Sequence, residues 1–236
     1  MKDTCIILLR LEGALQSWGE HSRFDYRDCA SMPTKSGIVG MIGCAMGLWR
    51  GSEQLTALSE KIRVAVRCDR PGKQNIDFHT VTADDAILNA DGKKKKDQHG
   101  KPVKTIVTYR TYLQDASFLA AIETNWELAQ KIDHAFHEPR WSVYLGRKSC
   151  VPSRPVYIGI KEEYNSLEEA MNQYIEEKGT RPAETGKYYE IESMNGRGYE
   201  RTDELIDASK RDFMSRYVVL MQRKEESKAE EQKKDN

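Results

Sequence analysis

The 236-residue sequence predicts an α+β fold, on three observations. Short apolar or alternating runs recur through residues 1–160 as strand patterns, and three helix patterns, the first two consecutive, interrupt them. The two middle strands are joined by a long arm with no helix in it, which disfavours an all-parallel doubly wound sheet.

Thr4–Leu11, rich in Ile and Leu, is the first strand, and a polar, glycine-punctuated segment follows from Glu12 to Pro33. A helix is expected from Thr34 to Trp49, because Pro33 precedes it and Thr34 or Ser36 can cap its first amides. Gly37, Gly40, Gly43 and Gly47 recur along that helix. Each costs about 1 kcal/mol against alanine, so they predict close packing of the helix backbone. Ser52–Glu60 reads as a second short helix. In Ile62–Cys68, Ile62, Val64 and Val66 alternate with Arg63, Ala65 and Arg67 as in a half-buried strand.

Ile76–Tyr112 has alternating ends and a charged tip, Asn89–Pro102, with glycines at 92 and 100: a long hairpin arm with a mobile, basic end. Ser117–Glu123 is a core strand. Trp126, Ala129, Ile132 and Phe136 place an amphipathic helix over 126–136. A strand follows near Val156–Ile160. The order β–α–β–arm–β–α–β through residue 160 is that of a ferredoxin-like unit, with the arm elaborating its second hairpin.

Residues 161–222 form a small β-rich C-terminal part. It comprises a helix from Ser166 to Glu177, opened by a Ser166/Glu169 capping box, and strands at Tyr188–Met194 and Tyr217–Met221. Residues 223–236, rich in Lys, Glu and Asp, are expected to be a disordered tail.

Basic and acidic residues number 37 each, and zero net charge at first argues against a nucleic-acid binder. The average hides an asymmetry: +5 over residues 1–160, −7 over 161–207 and +2 over 208–236. Pro139–Ile160 holds Arg140, Arg147, Lys148 and Arg154 and no acid. A second cluster is Lys93, Lys94, Lys95, Lys96, Lys101 and Lys104. One face for a polyanion is the reading. No run approaches the roughly 20 apolar residues of a spanning helix. Cys5–Leu9 is too short for a signal-peptide core, so a soluble cytoplasmic protein without membrane contact is expected.

The five cysteines make no CxxC, and are read as reduced and mostly buried. His134 and His137 lack partner ligands, so neither a metal nor a cofactor is predicted. Pro33-Thr34-Lys35-Ser36-Gly37 brings a lysine and two hydroxyls to a helix start, where free amides favour a phosphate. A P-loop is excluded, because Thr34 and Cys29 stand where glycines are required. Tyr144-Leu145-Gly146-Arg147-Lys148-Ser149-Cys150 joins an aromatic, a glycine, two cations and a hydroxyl in one loop, a composition suited to bases and phosphates. Trp18 is read as a packing residue. Nucleophile motifs are absent. Metal-free RNA cleavage would have to draw on Tyr26, His99 and Lys101.

Leu9–Gly13 through Leu15–Gly19, Phe24, Pro33–Gly37, Val64–Asp69, His79–Val81, Tyr109–Phe118 and Tyr144–Cys150 together resemble the CasD family of type I-E CRISPR Cascade subunits, RAMP-type proteins. Order and spacing hold from residue 4 to about 160 and more loosely to 221. The resemblance implies an RRM-like palm (1–160), a protruding β-hairpin thumb at about 76–112 and a small C-terminal part (161–222). It implies a non-catalytic subunit that grips the 5′ handle of the CRISPR RNA and caps one end of the complex. Its neighbours would be CasC and CasA, with target DNA held by the whole assembly and precursor cleavage left to CasE. A type I-C relative is itself the processing nuclease, so a metal-independent endoribonuclease using Tyr26, His99 and Lys101 is the alternative. The RNA-binding set expected here is Arg23, Arg27, Lys35, Ser36, Arg110, Tyr144, Arg147, Lys148 and Ser149. The Lys93–Lys96 run and the acidic Glu162–Glu204 stretch depart from the family pattern, as does the absence of a basic-Gly-aromatic stacking signature.

Overall fold

A computed structural model describes residues 4–21, 25–89, 91–175 and 186–224. Within them lie β1 (Thr4–Glu12), β2 (Leu15–Gln16), β3 (Tyr26–Arg27), α1 (Lys35–Met46), α2 (Glu53–Glu60), β4 (Arg63–Arg70), β5 (Lys73–Thr82) and β6 (Thr105–Gln114). They continue with β7 (Ser117–Asn125), α3 (Trp126–His137), β8 (Tyr157–Lys161), α4 (Leu167–Gln173), β9 (Tyr188–Glu192), β10 (Tyr199–Asp207) and β11 (Asp212–Gln222).

Seven strands form one antiparallel sheet in the order β10-β11-β9-β4-β7-β1-β8. β1 and β7 are central and buried on both faces, which is why both read as nearly unbroken apolar runs. Ile7, Leu9 and Leu11 join Val64, Val66 and Ile122 in the core beneath α1, α2 and α3. Ile6, Leu8, Ala65, Leu119 and Ala121 point the other way, to Leu167, Ala170 and Met171 of α4.

Thr34 caps α1: its hydroxyl accepts from the Gly37 amide at 3.2 Å. The helix stops at Gly47, a left-handed residue at φ 74°, so Trp49 lies beyond it. Close packing explains Gly37, where a Cβ would strike the Trp18 indole, and Gly43, where it would strike Leu55 of α2, but not Gly40, where a Cβ would meet open space. Trp18 is buried, and its indole N–H donates to Gln16, whose amide donates in turn to the carbonyls of Leu11 and Ala116.

Three expectations need correction. Trp126 is exposed, because α3 buries Ala129, Ile132 and Ala135 instead. α4 ends at Gln173, with Tyr174 already extended. In its capping box Ser166 accepts the Glu169 amide as expected, but the Glu169 carboxylate reaches Asn165 rather than Ser166. β10 was not anticipated. Its inward positions include Arg201 and Asp203, so no apolar alternation marks it. The expected tail lies largely outside the described residues, which end at Lys224.

The arm is a second sheet built on β6, which pairs with β5 along its whole length, with β2 at its inner end, and in parallel with β3. Beyond Thr82 and Thr105 the tip stays hydrogen-bonded, through Ala83 to Lys104, Ile87 to Val103 and the bridges Leu88–Lys94 and Lys96–Pro102.

Candidate nucleic-acid interface

Two cationic elements meet where the arm leaves the main sheet. The first is the loop Tyr144–Cys150. Leu145 is buried and its carbonyl accepts from the Ser17 amide, while Gly146, at φ 93°, presses against the Ser17 backbone where a Cβ has no room. So seated, the loop extends Arg147 over the Tyr112 ring, 4.6 Å from its centroid. The Arg147 guanidinium donates to the carbonyls of Thr111 (3.2 Å), Arg27 (3.3 Å) and Asp28 (3.5 Å). Arg147 thus joins loop, β6 and β3, leaving Lys148 and Ser149 exposed and Tyr144 half-buried.

The second element is the arm's base. Parallel pairing sets Arg27 beside Arg110, and Asp77 of β5 lies opposite Arg110. On the other face the same register aligns Tyr26, Tyr109 and Phe78. Tyr109 lies 6.4 Å from Tyr26 and 5.6 Å from Phe78, ring centre to ring centre. All three rings are about half exposed, at 53%, 45% and 59%. This aromatic row was not anticipated for Tyr109 and Phe78. Its only signal was the apolar alternation of the arm's strands, which a surface strand does not need.

Lys35 is not part of this surface. Its side chain is only 3% exposed, and its ammonium lies 2.5 Å from Glu204 and 3.3 Å from Glu192. Its amide donates to Asp203 at 2.7 Å, so a carboxylate of this chain already occupies the positive end of α1. Ser36 is half-buried, with its hydroxyl turned to Thr34. The same network holds Arg201, buried against Glu190 (2.6 Å) and Glu20 (3.2 Å), and Arg216, paired with Asp203 at 2.6 Å. Burial alone would lower the Arg201 pKa, but Glu190, Asp203 and Glu20 raise it above the ordinary guanidinium value. Four acids of the −7 segment, Glu190, Glu192, Asp203 and Glu204, therefore answer the cations Lys35, Arg201 and Arg216.

A second buried cluster joins Arg10 and Arg67 to Asp69, at 2.6 and 2.7 Å. Burial pushes the Asp69 carboxyl up, yet the two guanidiniums outweigh it and hold the pKa below the usual value.

The three residues of the cleavage reading are not brought together. Tyr26 sits beside Tyr109 at the arm's base, whereas His99 and Lys101 are in the tip, their amides both donating to Asp97. From Tyr109 to the end of β6 at Thr105 is already about 13 Å of strand. Arg23 lies outside the described residues. Among the described residues, no three His, Cys, Asp or Glu side chains group as a metal site, and no helix is long and apolar enough to cross a membrane.

Comparison with known proteins matches residues 6–225 to the family described as CRISPR-associated protein (Cas_Cas5). The Escherichia coli (strain K12) protein "CRISPR system Cascade subunit CasD" is 33% identical over 230 residues, covering 90% of this chain and 95% of that one. A solved structure described as "Crystal structure of Cas protein" superposes with a TM-score of 0.69 at 32% identity, covering 92% of this chain and 94% of the other. A chain of a "CRISPR RNA-guided surveillance complex" also gives 0.69, at 30% identity and 93% and 90% coverage. The mixed α+β architecture described above, with its antiparallel main sheet, thus matches solved Cas proteins, and the chain belongs to the Cas5 family of CRISPR-associated proteins.

Proposed function

We propose that this chain is the subunit of a Cascade-type surveillance complex that holds the 5′ handle of the guide RNA without cutting it. The observation that carries the reading is the junction at the arm's base. There Arg147 locks the loop to β6 and β3 and leaves Arg27, Lys148 and Ser149 exposed on the loop and the adjoining strand. Cations and a hydroxyl at such a junction suit phosphates, and the row of Tyr26, Tyr109 and Phe78 suits unstacked bases. Arg110 lies on the cationic face of the same strand pair, and Tyr144 at the start of the loop.

On this reading β8-β1-β7-β4 with α1 and α3 is a ferredoxin-like, RRM-like palm. The antiparallel order, with the two middle strands of the unit adjacent, supports it. The arm is the thumb, and β9, β11 and β10 extend the palm sheet and brace α1 through the Lys35 network. Neighbouring protein subunits would be CasC and CasA, in the cytoplasm, with target DNA held by the assembly. Lys35 is left out of the RNA-binding set because its charge is spent internally.

The test is incubation of the purified protein with labelled repeat RNA in EDTA. Saturable binding with the RNA left intact is expected. Clean cleavage, abolished by His99→Ala or Lys101→Ala, would overturn the non-catalytic reading in favour of a metal-independent ribonuclease.

A further inference from the structure

A second aromatic and cationic patch lies at the C-terminal end of α1. Trp49 is 74% exposed and meets Trp141 edge-on, with ring centres 5.3 Å apart. This geometry leaves a face of the Trp49 indole open. The pair is held in place from below: the Arg140 amide donates to Ala45, the Arg140 stem packs over Gly47, and the Cys44 thiol points at the carbonyls of Trp141 and Ser142.

Arg50 and Arg140 adjoin the two indoles in the chain, and two further cations lie near this end of α1. Lys148 bears electrostatically on Cys44, and Arg211 on Arg50. None of the four is ion-paired among the described residues. A helix C-terminus offers only about half a negative charge, far less than four cations.

We propose that this patch is a second contact for single-stranded RNA, with a base stacked on Trp49 and phosphates held by Arg50, Arg140, Lys148 and Arg211. The inference rests on the guide-RNA reading above, because Lys148 belongs to both surfaces and lets one strand run from the thumb base to α1. Trp and Arg are common in protein interfaces too, but a Lys among several cations with no acid paired to them, beside an open indole face, matches a stacking platform in a phosphate-binding groove.

The experiment uses the full chain carrying Trp126→Phe, so that exposed indole fluorescence comes from Trp49 and Trp141. It is titrated with a single-stranded oligoadenylate and, separately, with labelled handle RNA. Expected are saturable quenching, roughly tenfold weaker oligoadenylate binding in Trp49→Ala, and a salt slope flatter by about 1.4 in Arg50→Ala/Arg211→Asn. Handle RNA that binds without quenching would overturn the second contact and leave the handle reading standing. Binding of neither RNA would overturn both. Quenching by polyglutamate and not by RNA would overturn the proposal in favour of an acidic protein neighbour.

Discussion

Replacing Lys35 with methionine keeps an unbranched side chain, one atom shorter, and removes its charge. Glu204 and Glu192 would then face each other across the site vacated by an ammonium now 2.5 and 3.3 Å away. Removing one partner of a buried pair costs about 3–5 kcal/mol. Here the loss should fall near the lower bound. The two carboxylates keep 13% and 16% exposure, Ser59 still donates to Glu204 at 2.8 Å, and Arg216 remains 3.9 Å from Glu192. A loss of about 3 kcal/mol lowers the melting temperature of a chain this size by roughly 6–12 °C. Thermal and urea unfolding measure it, alongside handle-RNA affinity of the folded variant at several salt concentrations. The reasoning is refuted if Lys35→Met melts like the wild type while its salt slope flattens by about 0.7, the signature of a lost phosphate contact on single-stranded RNA.

Three further outcomes are expected. Asp69→Asn should destabilise the protein at neutral pH. The Asp69 pKa is depressed in the folded state, so its contribution is complete above the unfolded value of about 3.9 and is lost as pH falls through the folded value; wild type and variant should therefore converge in urea titrations below about pH 4. Gly146→Ala puts a Cβ into the Ser17 backbone at a left-handed φ. It should cost at least about 1 kcal/mol and weaken handle binding by displacing Arg147; stability and affinity both equal to wild type would contradict the anchoring role. Tyr109→Ala should weaken handle RNA binding by about 1–3 kcal/mol if a base stacks there, with little change in melting temperature because the ring is 45% exposed. An unchanged affinity would remove the aromatic row from the site.

What could be read in advance follows from where apolar side chains are required. β1, β4 and β7 face helices, so Ile7, Val64 and Ile122 wrote their periodicity into the chain. Thr34 marked the start of α1 because a free amide needs an acceptor there. β10 escaped because Arg201 and Asp203 fill inward positions, where charge pairing replaces apolar contact. Lys35 misled for a related reason: a lysine at a helix start looks the same locally whether it meets a phosphate or Glu204, which is far away in sequence. The Tyr26–Tyr109–Phe78 row depends on the register of three strands, which no single segment encodes.

The central claim is that RNA is held at the junction of arm and loop 144–150, and the salt dependence of handle-RNA binding tests it most directly. Wild type and Arg27→Ala/Lys148→Ala should be compared from low to physiological salt, with equal melting temperatures as the control for folding. The account predicts weaker binding and a slope flatter by about 1.4 for the double variant. Equal affinity and equal slope at every salt concentration would place the RNA elsewhere on the protein and contradict it.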